Sequence, residues 1–333
     1  AHAGGVRCVV VEHAAASIGL PLRLTCWRVA RFVGLVNRQS LVAPFIIGRS
    51  AMRPSRTEVI ATHLILLLAV SAVLLPVLWV VKLAMAPPGS RLSEDANIFP
   101  TQIDWSNFER FMSATDFSGN PLFWYQLSNS LAISGAATLI GVVFAITAAY
   151  GYSRFRFLGR QAGLQALLIS QMFPAVVTAV PLMFLLWALG LFGTIAGLVL
   201  IYATASVPFC IWMLKGYFDT IPKDLDEAAR LDGASHWQIF VGVVLPLVRP
   251  GIAITGLFSF MTAWNEFILA SLFLDQEIAS TLPVTLQRSV GGFDPDWPLF
   301  AAGSLLLSLP VVAVFFLAQR HLIGGLTAGA VKG

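Results

Sequence analysis

Long apolar runs, separated by short polar segments, dominate the sequence after residue 52. Each run is close to the length of about 20 residues that a helix needs to cross a bilayer. The pattern therefore predicts an all-α polytopic membrane protein with six transmembrane helices. The predicted spans are Val59–Val81, Leu131–Tyr150, Ala162–Leu186, Thr194–Leu214, Gly251–Leu274 and Leu299–Ala318.

The composition agrees with this class of protein. Hydrophobic residues make up 57% of the chain, charged residues 11%, and the mean hydropathy is +0.79. Only membrane spans accommodate so much apolar sequence. The three cysteines, Cys8, Cys26 and Cys210, lack the spacing of a metal site or of a disulfide framework. Nothing in the charge pattern indicates a nucleic-acid partner, and we expect no metal site.

Residues 1–51 differ from the rest of the chain. They contain six arginines, a single acid (Glu12) and no apolar run long enough to span a membrane. A cleavable secretory peptide would need an apolar core, which is missing here. We expect an N-terminal extension without a packed fold, either disordered or an artefact of start-site assignment. Residues 52–333 are then the six-span domain.

Basic residues are distributed unevenly between the two sides of the predicted bundle. Eleven Lys and Arg residues fall in segments 52–58, 151–161, 215–250 and 319–333, and the segments on the opposite side hold four. Cytoplasmic segments of membrane proteins carry the excess of Lys and Arg. We therefore expect both termini in the cytoplasm and segment 86–128 outside.

A polar stretch between two predicted spans, residues 224–246, is predicted to form two short helices joined by an elbow. The acidic side chains at its beginning favour a helix start, and Gly233 favours a helix stop because glycine adopts a positive φ without strain. Ser235 is followed three residues later by Gln238, the spacing of a capping box. Pro246 is predicted to end the second helix.

One acidic residue lies inside a predicted span. Glu266 is eight residues before the end of the fifth span, so roughly 12 Å below its outer end. An acid at this depth is a candidate for a transport pathway, and a structural carboxylate bonded to neighbouring helices is the alternative. Asn265 adjoins it. Gln171, Ser206 and Thr255 are weaker candidates because such residues commonly bond helices to one another.

The segment between the fifth and sixth spans, residues 275–298, is rich in turn-forming residues and is predicted to be exposed. Its length favours a functional loop, and a plain connection between helices is the alternative. The residues that suggest turns or a contact surface are Pro283, Gly291, Gly292, Pro295 and Trp297.

The spacing inside residues 224–246 resembles the EAA loop of ABC importer permeases, the cytoplasmic element on which the ATPase docks. The pattern is Glu227-Ala228-Ala229, three residues, Gly233, nine residues, then Val243-x-Leu245-Pro246. A solvated linker between two spans is the alternative. Further stretches are similar to the carbohydrate branch of type I importers, and above all to the smaller maltose/maltodextrin permease subunits: Gln171–Val176, Lys215–Ile221 and Ala318–Gly333.

The resemblance covers about residues 57–333, with the importer core expected at about 124–320. It implies a sugar permease subunit of the inner membrane that works with a second permease subunit, two copies of an ATPase subunit and an extracytoplasmic sugar-binding protein. ATP would be bound by those partners, so we expect no cofactor and no enzyme activity in this chain, which lacks the Gly-Lys-Ser/Thr phosphate loop.

The residues implied in each role can be named. Coupling to the ATPase is expected at Glu227, Ala228, Ala229, Gly233, Leu245 and Pro246. The translocation path is expected at Asn265, Glu266 and Gln171, and the contact with the binding protein at Gly291, Gly292 and Trp297.

The residues fit two other classes of protein less well. A self-sufficient secondary transporter would need duplicated spans and several buried ionisable groups for ion coupling. An intramembrane enzyme would need a catalytic pair within the spans, where His63 is the only histidine. The single acid and the missing repeat favour the importer subunit over both.

Overall fold

The computed structural model of the chain describes residues 56–90, 97, 102–274 and 276–330. The predictions made for residues 1–51 lie outside the described residues. The chain divides into two compact units, Ala1–Ala72 and Val73–Gly333. Of the first unit, the described part is the helical and apolar stretch 56–72. All packing discussed below lies within the second unit.

The described residues are almost entirely helical and contain no β-strand, only an isolated bridge between Thr115 and Pro121. The all-α prediction is confirmed. The helices are α1 (Arg56–Ala84), α2 (Ser106–Ser113), α3 (Leu122–Arg154), α4 (Arg160–Ser170), α5 (Ala175–Ala188), α6 (Ile195–Thr220), α7 (Asp224–Leu231), α8 (His236–Asn265), α9 (Ile268–Phe273), α10 (Leu282–Arg288) and α11 (Trp297–Ala330).

Within the described part of the chain, five helices are long and apolar enough to cross a membrane: α1, α3, α6, α8 and the stretch Trp297–Gln319 of α11. The sixth predicted span is the pair α4 and α5, whose axes are bent by 100°. The prediction of a six-span protein is therefore confirmed when this bent pair is counted as one span. Most predicted boundaries were too narrow, because the helices continue past the apolar runs.

The third predicted span, Ala162–Leu186, is wrong as a continuous helix. It breaks after Ser170, where the chain turns before α5 begins. Pro174 has an extended conformation and precedes the first residue of α5. A proline disfavours helical geometry in the residue before it, which favours a break between α4 and α5 at this point.

The predicted helix end at Pro246 is also wrong. Helix α8 runs without interruption from His236 to Asn265, and its residues Ile239–Val244 form a π-helical stretch. The N–H of Leu245 bonds the carbonyl oxygen of Phe240, five residues earlier. This widened turn leaves room for the ring of Pro246, which in a regular α-helix would clash with the carbonyl four residues earlier.

The fifth predicted span, Gly251–Leu274, is likewise interrupted. Helix α8 ends at Asn265, and Glu266 adopts an extended conformation with φ −75° and ψ 123°. The short helix α9 follows from Ile268 to Phe273. The predicted span is therefore two helices with a break at the acidic residue.

Helices α3 and α6 form the centre of the bundle and pack against each other along most of their length. Small residues permit the close approach: a Cβ atom added to Gly141 would lie 2.5 Å from the hydroxyl oxygen of Ser206. Two apolar clusters line this pair. One contains Ile133, Leu198 and Phe273, and the other lies beside the elbow.

The segment predicted to be a turn-rich exposed loop, residues 275–298, is only partly so. Its middle part belongs to α10, in which Leu282, Pro283, Val284 and Leu286 are buried. Leu282 and Leu286 pack with Phe111 and Phe123, which belong to α2 and α3. Because apolar side chains at these spacings share one helical face, they bury that face against the bundle. The exposed residues in the described part of the segment are Gln276, Gln287, Arg288 and residues 291–294.

Candidate functional site

The elbow between α7 and α8 is built by a helix stop followed at once by a helix start. Gly233 has φ +83°, and its N–H bonds the carbonyl of Arg230 at 3.0 Å. The N–H of Ala234 bonds the carbonyl of Ala229, also at 3.0 Å. These two bonds are the Schellman pattern that ends a helix at a left-handed residue. The predicted stop at Gly233 is confirmed.

The second arm of the elbow starts with the predicted capping box. The Ser235 hydroxyl accepts the N–H of Gln238 at 3.3 Å, and the Gln238 side-chain oxygen accepts the N–H of Ser235 at 2.8 Å. Both bonds satisfy backbone groups that a helix start leaves free. The elbow therefore has a defined backbone shape at its corner.

The outer surface of the elbow combines a charge with large apolar side chains. Glu227 is exposed, Leu231 is 90% exposed and Trp237 is 68% exposed. Leu231 follows Glu227 by four residues, so both lie on one face of α7. Leu231 and Trp237 were not predicted as site residues. The sequence could have indicated them, since both are large apolar residues inside a polar stretch.

The inner surface of the elbow contacts the end of α3. Asp226 is buried and forms an ion pair with Arg154, with 2.8 Å between its carboxylate oxygen and the arginine Nε. Phe240 packs against the ring of Tyr150, with 4.6 Å between ring centroids. Ala229 is half-buried beside the same cluster. Asp226 and Ala229 thus face inward, and Glu227 faces outward.

The other predicted coupling residues divide between surface and interior. Ala228 and Gly233 are exposed at the elbow, with Glu227. Leu245 and Pro246 lie half-buried in α8, beyond the π-helical stretch, and are not part of the exposed corner. The motif therefore includes an outward part on α7 and an inward part within the membrane helix.

The carboxylate of Glu266 caps the short helix that follows the break in the fifth span. It accepts the N–H of Leu269 at 3.0 Å and the N–H of Ala270 at 3.3 Å. It also accepts the hydroxyl of Tyr202 on α6. A negative charge at a helix start is favourable because the free N–H groups point toward it. The geometry of a structural carboxylate is therefore present.

Glu266 is at the same time only half-buried and lines an open cavity of about 490 Å³. Asn265 is exposed in this cavity and donates to the carbonyl of Met261 at 2.8 Å. The cavity thus offers polar groups beside aromatic rings. Its lining consists of Phe258, Met261, Thr262, Asn265, Glu266, Phe267 and Ile268.

Gln171 lies apart from this lining, at the bend between α4 and α5. Its side-chain amide donates to the carbonyl of Ala205 at 3.1 Å, so it bonds the bend to α6. Among the weaker candidates, Thr255 is fully buried and Ser206 donates to the carbonyl of Ala203. In the described residues, no three His, Cys, Asp or Glu side chains are grouped closely enough to hold a metal ion.

At the opposite end of the bundle, two segments that are distant in sequence are joined by an ion pair. Arg110 of α2 contacts Asp296 at 2.7 Å, and the other Asp296 oxygen accepts the N–H of Leu299 at the start of α11. Gly291 and Gly292 are exposed, and Trp297 is half-buried as the first residue of α11. The residues predicted to contact the binding protein are therefore close in sequence to Asp296, which these bonds hold in place.

A second turn lies at this end of the bundle, between α2 and α3. The Asp116 carboxylate accepts bonds from the side chain and backbone of Asn120, which hold the pKa of Asp116 below its usual value. Phe117, next to it, is fully exposed, as is Phe293 in the other segment. Two segments at the end opposite the elbow therefore each expose an aromatic side chain close in sequence to a bonded aspartate.

A bundle of membrane-crossing helices with an exposed two-helix elbow at one end and an open cavity at the end of α8 is the architecture of a transporter membrane subunit. Residues 138–326 match the family described as "Binding-protein-dependent transport system inner membrane component". This match covers more than half of the chain, and the chain therefore belongs to that family. It is a multi-pass protein of the inner membrane.

The chain matches named relatives over nearly their whole length. The chain is 35% identical over 268 residues to the trehalose transport system permease protein SugB of Mycobacterium tuberculosis (strain CDC 1551 / Oshkosh), covering 80% of this chain and 95% of that protein. It is 36% identical over 295 residues to the maltose/maltodextrin transport system permease protein MalG of Escherichia coli (strain K12), covering 84% and 98%.

A solved structure has the same fold. It is the crystal structure of a bacterial ABC transporter involved in the import of the acidic polysaccharide alginate, with a TM-score of 0.64 and 22% identity, covering 80% of this chain and 98% of that chain. A chain of the MetNI methionine ABC transporter in inward-facing conformation has a TM-score of 0.51 at 19% identity, covering 61% of this chain and 95% of that chain. Both comparisons show the fold.

Proposed function

We propose that this chain is a permease subunit of an ATP-driven sugar importer and couples to ATPase subunits through residues 224–246. The observation that carries this proposal is the elbow. Its corner has a defined backbone, its outer face exposes Leu231 and Trp237, and its inner face is joined to the bundle. Large apolar side chains projecting beside a charge are typical of a surface that another protein covers.

The substrate class is proposed from the relatives together with the cavity. The two relatives described above are named for trehalose and for maltose/maltodextrin, which are both oligosaccharides. The cavity at the end of α8 combines the Asn265 amide with the rings of Phe258 and Phe267. Amide groups hydrogen-bond hydroxyl groups, and aromatic faces contact the apolar faces of sugars. An oligosaccharide of the maltose/maltodextrin type is the proposed cargo.

Individual residues are proposed for three tasks. Glu227, Ala228, Ala229 and Gly233 form or shape the docking corner, and Leu245 and Pro246 continue it into the membrane helix. Asn265 and Glu266 line the translocation path, and Gln171 supports it from the bend of the third span. The exposed segment with Gly291 and Gly292, fixed at Trp297, is proposed to contact the extracytoplasmic binding protein.

The subunit is proposed to lie with both termini in the cytoplasm and to work with a second permease subunit, which completes the cavity. ATP is bound and hydrolysed by two copies of an ATPase subunit, and this chain has no ATPase site or cofactor of its own. The charge distribution of the sequence supports this orientation, because it leaves the elbow on the ATPase side.

The test uses the chain purified from its native membrane through an affinity tag. We expect an ATPase subunit to be retained, and substrate-stimulated ATP hydrolysis after reconstitution in lipid. Glu227→Lys is expected to abolish both. Glu109→Lys is the matched control, since Glu109 is an equally exposed acid in α2 at the opposite end. Transport by the chain alone, driven by an ion gradient without any ATPase, would support the secondary transporter instead.

A further inference from the structure

The last turn of α3 contacts both arms of the elbow. On the first arm, Arg154 forms its ion pair with Asp226 of α7. On the second arm, Phe155 stacks on His236, with 6.1 Å between ring centroids, and Tyr150 packs against Phe240. Movement of the elbow relative to the bundle would therefore act first on this turn.

The ion pair is unusual because both partners are buried. The side chains of Arg154 and Asp226 are 4% and 8% exposed. The other ion pairs in the part of the chain that the structure describes each include at least one side chain that is more than a third exposed. Exposed pairs contribute little because water competes for both charges, whereas a buried pair cannot separate without leaving two unsolvated charges.

The same arginine makes a second contact that restricts how the elbow can move. An Arg154 guanidinium N–H donates to the carbonyl oxygen of Ile221 at 3.2 Å, at the end of α6. One planar guanidinium thus joins α3, the end of α6 and α7. Its donors have a fixed geometry, so the three segments are held in one relative arrangement.

Apolar packing alone would not impose this restriction. Aromatic pairs such as Tyr150 and Phe240 tolerate a range of offset and edge-to-face geometries, so they restrict relative movement less than a directional polar contact does. The ion pair of Arg154 with Asp226, together with the bond from Arg154 to the Ile221 carbonyl, limits the direction of approach more narrowly. The turn of α3 therefore has an adaptable contact with the second arm and a directional contact with the first.

We propose that Arg154 is a positioning residue that transmits movement of α7 to α3, and thereby couples ATP hydrolysis in the partner to opening of the membrane path. The inference rests on the proposed function and extends it, because it assigns the transmitting contact on the inner face of the elbow. Docking itself uses the outer face, where Glu227 and Leu231 lie. The two roles belong to different sides of one helix.

The experiment separates transmission from folding. In Arg154→Met with Asp226→Leu, the charges are replaced together by apolar side chains, an exchange that can leave the stability of a buried site nearly unchanged. The matched control is Lys215→Met, which breaks the partly exposed pair with Asp219 near the same end of the bundle. Thermal unfolding and ATPase retention are measured alongside sugar uptake and ATP hydrolysis in lipid vesicles.

We expect the double variant to retain the ATPase while sugar uptake per ATP hydrolysed falls by roughly 5- to 150-fold, the ordinary range of a coupling free energy. A variant in which the two charges change places, Arg154→Asp with Asp226→Arg, should recover part of the lost sugar uptake per ATP hydrolysed. Lys215→Met should keep the wild-type ratio.

Two results would overturn the inference. One is sugar uptake per ATP hydrolysed in the double variant that equals the wild-type value. The other is a loss of uptake that merely follows the loss of folded protein or of retained ATPase, because that is what a purely structural pair would cause. Failure of the proposed function would look different, since the wild-type chain itself would then retain no ATPase.

Discussion

Gly233 shows how one residue shapes the elbow and suggests how the elbow meets its partner. Its φ of +83° is strained for a side-chain-bearing residue, but a Cβ atom added there would meet nothing within 4 Å in this chain. A Cβ atom at this position therefore meets no steric conflict within this chain. Asn and Asp adopt this conformation with less strain than other residues, which permits a test of the surface alone.

We expect Gly233→Asp and Gly233→Asn to abolish transport with normal amounts of the subunit in the membrane, because the added bulk meets the docked ATPase. Gly159→Asn is the matched control, as Gly159 has φ +82°, open space around its Cβ and an exposed position. Uptake and ATPase retention are measured for all three variants. Equal uptake by the Gly233 and Gly159 variants would show that no partner covers the corner.

Glu266 has two geometric roles that a pair of substitutions can separate. Glu266→Gln replaces one acceptor oxygen by a donor, so at least one of its three bonds is lost, while Tyr202→Phe removes only the hydroxyl bond. Losing a hydrogen bond to a charged group costs about 1.5–3 kcal/mol. Both variants are therefore expected to unfold at lower temperature.

The prediction for transport is that Glu266→Gln also changes uptake kinetics, with the ATPase still retained, and that Tyr202→Phe changes them less. The reason is that the Glu266 carboxylate lines the cavity directly. Uptake is measured against sugar concentration and corrected for the amount of folded complex. Unchanged kinetics in Glu266→Gln would remove it from the translocation path and leave its capping role.

At the scale of the element, α8 acts both as the second arm of the elbow and as a membrane helix. The capping box fixes where this helix begins, and the hydroxyl of Ser235 satisfies the N–H of Gln238. Removing such a cap costs about 0.5–2 kcal/mol of helix stability. Because the π-helical stretch follows after one short turn, the start of α8 has few other backbone bonds to hold it.

We expect Ser235→Ala to increase amide hydrogen exchange at residues 236–240 and to lower ATPase retention, since the second arm frays. Thr194→Ala is the control, because Thr194 caps α6 by accepting the N–H of Gly197 at 3.1 Å. It should loosen the start of α6 without affecting ATPase retention. Equal exchange at 236–240 in Ser235→Ala and wild type would contradict a role for the cap.

At the scale of the whole molecule, the orientation in the membrane decides whether the elbow can reach an ATPase. The prediction is tested with single cysteines at Trp105 and Ser235, both exposed, in a background where Cys8, Cys26 and Cys210 are replaced. An impermeant thiol reagent added from outside should modify position 105 only. Modification at 235 and not at 105 would reverse the orientation.

The apolar runs predicted the membrane spans because a helix that crosses a bilayer must be apolar over a set length, which is a local property of sequence. The elbow corner was equally predictable. Gly233 and the pair Ser235 and Gln238 act on backbone groups within a few residues, so their effect depends little on the rest of the fold.

The breaks in the spans were harder to predict. The run Ala162–Leu186 is apolar enough for one span, yet its two helices are bent by 100°. The bend contains Pro174 and also Gln171, whose side chain bonds the carbonyl of Ala205 on α6. The run after Gly251 is interrupted at Glu266, whose carboxylate is satisfied by a hydroxyl from α6 as well as by nearby N–H groups. Hydropathy measures how apolar a segment is, and it contains no information on such partners.

The class of protein, the number of spans when the bent pair counts as one, and the corner of the elbow could therefore be predicted from local sequence. Which face of α7 is covered could not, because it depends on the packing of distant segments. Asp226 and Glu227 are adjacent acids of similar chemistry, but one is buried against Arg154, 72 positions earlier in the chain, and the other is exposed. A contact between residues so far apart depends on how α3 and α7 pack, and helix packing is not encoded in any local pattern.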